Sequence, residues 1–242
     1  MASPSGLQGG MIIHILIRGR SLEESLQMAR PSFEPAAFLV AARDIAAQDG
    51  PAAVTVTSVT DRLGAPNGSF YYRFASRDVL LAELWLATAL AFQQGFVAAI
   101  KTGDGLGAAL HTPVWVRAHF DDARVFLLHH RDDFVQGGWP AALAARVAQQ
   151  ARRVDACYKR FARDAFGGVD ADRLRLAQFV LADVPKAAVR SHLRRGELLP
   201  AIIDEMIAVT YRSVLDQYGK DKTRRSASIS KRSPRPARGR PR

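Results

Sequence analysis

"LGAPNGSFYYRFASRDVL", Leu63 to Leu80, sets turn-forming residues directly against aromatic ones. Gly64, Pro66, Asn67 and Gly68 crowd together, and Phe70, Tyr71, Tyr72 and Phe74 follow at once. Turn residues belong at the surface, whereas aromatic clusters belong inside. Both demands are met if a tight turn at Leu63–Pro66 separates two short helices. Phe70 and Phe74, four residues apart, then share an inward face with Phe38, Ile45 and Val59. The outward face presents Asn67, Gly68, Ser69, Tyr71, Tyr72 and Arg73, whose donors suit base edges and phosphates.

The flanking sequence supports that reading. Order is expected to begin at Phe33, with Pro35 in the first turn of a helix, where its missing N–H costs nothing. Phe38, Ala41, Ala42, Ile45 and Ala46 follow at helical spacing, and Gly50 is expected to end the helix as a left-handed cap. In "AAVTVTSVTDRLG" the Val/Thr alternation favours a strand by propensity. Val56, Val59 and Leu63 are also spaced i, i+3, i+7, Thr55 can cap a helix, and a lone strand would have no partner. A short helix is therefore expected there, and a second from about Pro66 to Phe74. Two short helices around a Gly-containing turn, carried on a preceding helix, describe a helix-turn-helix. Ser76 caps the next, longer helix, with Asp78 in its first turn and Leu80, Leu81, Leu84, Trp85, Thr88, Ala91 and Phe92 on its broad apolar face.

The combined stretch "FLVAARDIAAQDGPAAVTVTSVTDRLGAPNGSFYYRFASRDVLLAEL" resembles the N-terminal domain of TetR-family transcriptional regulators. The pattern is carried by Gly64, Gly68, Ser69, Phe70, Tyr71, Phe74, Ser76, Arg77, Asp78 and Leu80. The resemblance implies phosphate contacts from Thr55 and Thr57. Asn67, Gly68, Ser69 and Tyr72 would face bases or backbone in the major groove, and Tyr71 and Arg77 would clamp phosphates. Pro66 stands where the family often has a capping Ser or Thr, and Tyr72 where it often has His. Tyr71 has a second reading, as a packing residue with its hydroxyl at the edge.

Charge is concentrated at one end. The 242-residue chain carries +11, yet from Gly219 onward ten basic residues face a single acid, which places nine of those charges in the last stretch. Such an arm usually meets a polyanion. Arg238-Gly239-Arg240-Pro241 matches the core of a minor-groove arm for A·T-rich DNA, because two arginines flanking a glycine can follow a narrow, strongly negative groove. A generic phosphate-seeking tail has the same composition. The single cysteine, Cys157, suits a reducing cytoplasm, and no run has the length of a membrane span.

Between Leu106 and Tyr218 five helices fit between Gly- and Asp-rich joints, so the fold class is all-α. The expected organisation is a poorly ordered extension over 1–31, a helix-turn-helix domain over 32–78, a helical effector-binding and dimerisation domain over 79–218, and a disordered basic tail over 219–242. The penultimate helix is expected to kink at Pro185. The last, about Ala201–Tyr218, places Ile202, Ile203, Met206, Ile207, Thr210, Tyr211, Val214 and Leu215 on one side. That stripe either completes a homodimer through the last two helices, as the resemblance implies, or is buried within one subunit.

Candidate lining for an effector pocket comes from Trp115, His119, Phe126, Phe134, Trp139 and Phe179, a mixture suited to an apolar, aromatic or acyl effector. No cofactor is expected. His111 and His119 are eight apart and His129 and His130 adjacent, spacings that argue against a metal site, and hydrolase signatures are absent. The expected partners are double-stranded DNA, a second copy of the chain and a small molecule, without a membrane. The expected function is a cytoplasmic, ligand-released repressor at a palindromic operator. The alternative is an architectural protein of A·T-rich DNA, dominated by its tail.

Overall fold

Pro35 opens the first helix, α1 (Pro35–Asp49), and its apolar face turns inward as the spacing predicts: Phe38, Ala41, Ala42, Ile45 and Ala46 are buried, with Ala47 added. The computed structural model describes residues 34–135 and 139–220. The expected N-terminal extension, and all but the first two residues of the expected tail, lie outside the described residues. From Pro35 the described residues form one unit.

Gly50 ends α1 differently from the expected left-handed cap. Its φ of 86° lies where glycine is favoured, but its ψ of 165° extends the chain. The backbone is thereby launched into a single 3-10 turn, Pro51–Ala53. Thr55 then caps α2 (Val56–Leu63) by a reciprocal box in which Ser58 N–H donates to the Thr55 hydroxyl and Thr55 N–H to the Ser58 hydroxyl. The β-branched run is therefore helical: a strand ladder has no partner here, and the cap satisfies the first free amides. Gly64, at φ 61° and ψ 31°, is a true left-handed cap, and Ala65 N–H reaches back to the Thr60 carbonyl at 2.9 Å.

Helix α3 (Asn67–Tyr71) is shorter than the expected Pro66–Phe74. Pro66 is its N-cap and supplies no side-chain bond, so the Ser69 hydroxyl closes the turn by donating to the Pro66 carbonyl at 2.6 Å. Phe38, Phe70 and Phe74 form a three-ring cluster with centroids 5.7 to 6.0 Å apart. Val59 and Ile45 are buried with them.

Ser76 caps α4 (Arg77–Thr102), which runs from the head into the rest of the molecule. Its Leu80, Leu81, Leu84, Thr88 and Phe92 are buried, Trp85 is half-buried, and Ala91 is exposed, a departure from the expected face. α4 is long and apolar enough to cross a membrane by length and composition, yet it is the spine of a helical core. Around it pack α5 (Gly105–Ala118), α6 (Phe120–Leu128) and α7 (Ala141–Phe166). α8 (Ala171–Gln178) passes through a π turn, Phe179–Asp183, into α9 (Val184–Arg195), and α10 (Ile202–Tyr218) follows. The expected irregularity at Pro185 takes the form of this π turn. The Val184 N–H reaches five residues back to the Phe179 carbonyl, just before the residue that has no N–H to give. Every regular element among the described residues is helical.

α10 divides the stripe read from its sequence. Ile203, Ile207 and Tyr211 are buried against the chain's own core, whereas Ile202 and Met206 are more than half exposed, as is Val209. The reading that buries the stripe within one subunit holds for one flank of the helix, and the other flank is left uncovered.

Candidate nucleic-acid interface

Three local devices set the outward face of the head. The turn at Gly64 fixes the angle between α2 and α3, the ring cluster anchors α3 from below, and Arg77 ties the start of α4 to the preceding loop. The Arg77 guanidinium donates to the carbonyls of Val54 and, at 2.8 Å, Pro51. It also lies 3.4 Å from Asp78. Arg77, expected as a phosphate clamp, is therefore engaged as an internal brace.

The other expected DNA-facing residues are exposed, apart from the half-buried Ser69. Tyr72 is 82 % exposed and Tyr71 61 %, although each adjoins buried phenylalanines. Tyr71 sets its ring edge-on to Phe70 at 5.4 Å while staying mostly exposed, so its packing does not remove it from the surface. Arg73 stacks its guanidinium over the Tyr72 ring at 4.7 Å, and this stiffens the aromatic without burying it. Asn67 is exposed and accepts a 2.6 Å hydrogen bond from the buried Thr60 hydroxyl through Oδ1, so its amide group points away from that partner. Thr57 is exposed, and Thr55 presents its hydroxyl at the mouth of α2 while capping it.

Gly68 is the most informative position. Its φ is not in the left-handed region, and a Cβ placed on it meets nothing within 4 Å. The fold therefore gives no reason for glycine there. A close approach from outside does, since glycine in a helix otherwise costs up to about 1 kcal/mol relative to alanine.

The face is not electrostatically strong by itself. Between residues 35 and 78 four arginines (Arg43, Arg62, Arg73 and Arg77) are matched by four aspartates (Asp44, Asp49, Asp61 and Asp78). Arg43 and Arg62 both pair with Asp44, at 2.6 and 3.8 Å. The tail residues Arg238, Gly239 and Arg240 lie outside the described residues.

Of the six residues expected to line an effector pocket, Phe126 lines a side cleft. Trp115 and Phe134 are buried, Phe179 is 40 % exposed, and His119 is exposed. Four of them nevertheless belong to one aromatic row. His119 packs on Trp115, Trp115 on Phe92, Phe92 on Phe126, Phe126 on Trp85 and Trp85 on Trp139, with centroids 5.1 to 5.9 Å apart. Two side clefts open beside this row. One, of about 360 Å³, includes Phe126 and Trp85 in its wall, and the other, of about 430 Å³, lies between α4 and α7. Sequence reasoning missed the cationic wall of the first, Lys186 and Arg190, although their i, i+4 spacing on one helix was a legible signal. Among the described residues no group of His, Cys, Asp and Glu could hold a metal ion.

Residues 38–84 match the family model described as bacterial regulatory proteins, tetR family. No curated protein matches the chain significantly. Among solved structures, the ketosteroid transcriptional regulator KstR2 of Mycobacterium tuberculosis superposes with a TM-score of 0.52 at 19% identity, over 77% of this chain and 95% of that one. FadR of Bacillus subtilis, solved with stearoyl-CoA, gives 0.52 at 12% identity over 77% and 98%. The fatty acid degradation regulator FadR of Bacillus halodurans gives 0.53 at 14% over 75% and 98%. At these identities the likeness is one of fold, and the helical region beyond the head shares it. The head itself, residues 38–84, is the part of the chain similar to the tetR family in sequence.

Proposed function

We propose that this DNA-binding transcriptional regulator of the tetR type acts as a homodimeric repressor, which binds a palindromic operator and is released by a small-molecule effector. The observation that carries the DNA half of the reading is the outward face of α3. Asn67, Gly68, Tyr71 and Tyr72 are exposed on a rigid anchor, and Gly68 has no internal reason to be glycine. Asn67 and Ser69 are suited to base edges or backbone, and Thr55, Thr57 and Tyr71 to phosphates. Arg77 acts on phosphates only through the part of its guanidinium not held by the Pro51 and Val54 carbonyls.

One five-residue helix reads too little sequence for a useful specificity ratio, whereas two heads on half-sites one helical turn apart, roughly 34 Å, solve this. The exposed flank of α10, Ile202, Met206 and Val209, with Leu198 before it at 83 % exposure, supports pairing through the last two helices. An effector that favours one spacing of the heads by 1–3 kcal/mol would change operator affinity by about 5–150-fold.

The charge balance keeps one other reading in play, since a neutral head joined to a strongly basic tail also suits a protein that coats A·T-rich DNA. Selection from random duplex DNA at near-physiological salt, with the full chain and with a chain ending at Tyr218, decides between them. Enrichment of one palindrome by both supports the repressor. Enrichment of A·T-rich sequence by the full chain alone, with nothing enriched by the shortened one, overturns it in favour of the coating protein.

A further inference from the structure

The effector reading above leaves open what chemistry the effector has, and the cleft beside the aromatic row supplies an answer. Its volume, about 360 Å³, falls in the range of small-molecule sites. One wall is aromatic, Trp85 from α4 and Phe126 from α6, with edge-to-face and tilted packing that fixes both rings. The lining is also basic. Lys186 and Arg190 project one turn apart from α9, and Arg131 enters from the 3-10 turn after α6.

These cations are only partly answered. Arg131 pairs with Asp132 at 3.2 Å, a contact exposed to solvent. Neither Lys186 nor Arg190 makes a salt bridge or hydrogen bond among the described residues. Burial lowers the Lys186 ammonium pKa, and the nearby Asp183 opposes that shift without closing on it. The Trp139 indole N–H, on the ring that packs against Trp85, is buried without a partner among the described residues. Exposed cations that line the same open cleft as aromatic rings, with donors left over, are the complement of an amphipathic anion.

The same cleft touches the head. His129 lies in its wall, and its Cε1 is 3.5 Å from where a Cβ on Gly50 would stand. Gly50 is the joint between α1 and the turn that leads to α2. A ligand that shifts the end of α6 thus bears directly on the loop that orients the reading head.

We infer that this cleft is a binding site for an organic anion with an apolar or aromatic body, held by Lys186 and Arg190 against Trp85 and Phe126, and that its occupancy biases the head through His129 and Gly50. The inference rests on the effector reading. Binding to the cleft is measured without DNA, so a failure here stays distinct from a failure of operator recognition.

The test displaces the fluorescent anion 1-anilinonaphthalene-8-sulfonate from the full chain with decanoate, decyl phosphate and decyltrimethylammonium, which share one tail and differ in headgroup. Displacement by either anion at concentrations at least tenfold below those needed by the cation is expected, and the two anions separate a carboxylate from a phosphate preference. Lys186→Gln with Arg190→Gln is expected to weaken the effective anion by tenfold or more, and Arg190→Gln alone, at an exposed side chain, by about threefold. Lys101→Gln with Arg153→Gln removes the same charge from the α4–α7 groove and leaves the basic tail intact, so it is expected to change nothing. Circular dichroism confirms that each variant is folded, and the single variant serves if the double one is not. Displacement indifferent to headgroup, or equal weakening by the two double variants, overturns the inference.

Discussion

α3 and α10 each leave one face uncovered, and the two faces share almost no chemistry. On α3 the uncovered side is Asn67, Gly68, Tyr71 and Tyr72, polar at its tips and carried by five residues pinned to a ring cluster. On α10 it is Ile202, Met206 and Val209, aliphatic throughout and carried by a seventeen-residue helix whose other flank is core. Exposure alone does not name a partner. Donor-rich tips with a glycine gap fit a hydrated, polar groove, whereas a dry stripe at i, i+4, i+7 spacing fits another helix of the same kind.

The contrast is broken most forcefully at α10. Met206→Glu with Val209→Glu places two charges where a second subunit would bury them. Sedimentation velocity is expected to show monomer in place of dimer, with helical content unchanged. Operator affinity should fall about 10²-fold or more, since two linked heads gain at least that much over one. A dimeric mass for this variant would falsify pairing through this stripe.

At α3 a smaller loss is expected, confined to DNA. Tyr72→Ala removes an 82 % exposed ring that stacks with Arg73, so the melting temperature should hold within a degree or two. Specific binding should drop by roughly 1–2 kcal/mol, about 5–30-fold, while binding to random DNA changes little. Fluorescence anisotropy with operator and scrambled duplexes reads both. A parallel loss on the two duplexes would mean that Tyr72 meets only the backbone.

The finest discriminator is Gly68→Ala, where the two quantities should move in opposite directions. Stability should rise by up to about 1 kcal/mol, because the added methyl meets nothing within 4 Å and alanine favours the helix. Operator affinity should fall by roughly 3–10-fold as the methyl intrudes on the approaching backbone. If both stay unchanged, Gly68 faces solvent in the complex as well.

The head was far more legible in sequence than the rest, and the reason is local. Thr55, Gly64, Ser76 and the Phe70/Phe74 pair act within a few residues of themselves through caps, a left-handed glycine and a four-residue ring spacing. Where the sequence reading slipped inside the head, the cause lay at longer range. Arg77 is drawn to the Val54 and Pro51 carbonyls, more than twenty residues away, and the backbone extends at Gly50 where His129, just past the end of α6, lies close by. Neither partner can be inferred from the neighbours of Arg77 or Gly50 in the chain.

The helical region beyond the head shows the limit more sharply. Trp115, His119, Phe126 and Trp139 were recognisable as a set by residue type, yet their order in a row depends on Phe92 and Trp85, one turn or more apart on α4. Residue type and spacing by themselves determined that the chain is helical, where the head lies, which aromatics face inward on α3, and that net charge gathers at the C-terminal end. Only the tertiary structure decided how α10 divides its apolar residues between core and surface, where Arg77 spends its hydrogen bonds, and which cations line a cleft with Trp85. Helical periodicity and capping are set by neighbours three or four residues away, whereas those outcomes depend on segments brought together from across the whole chain.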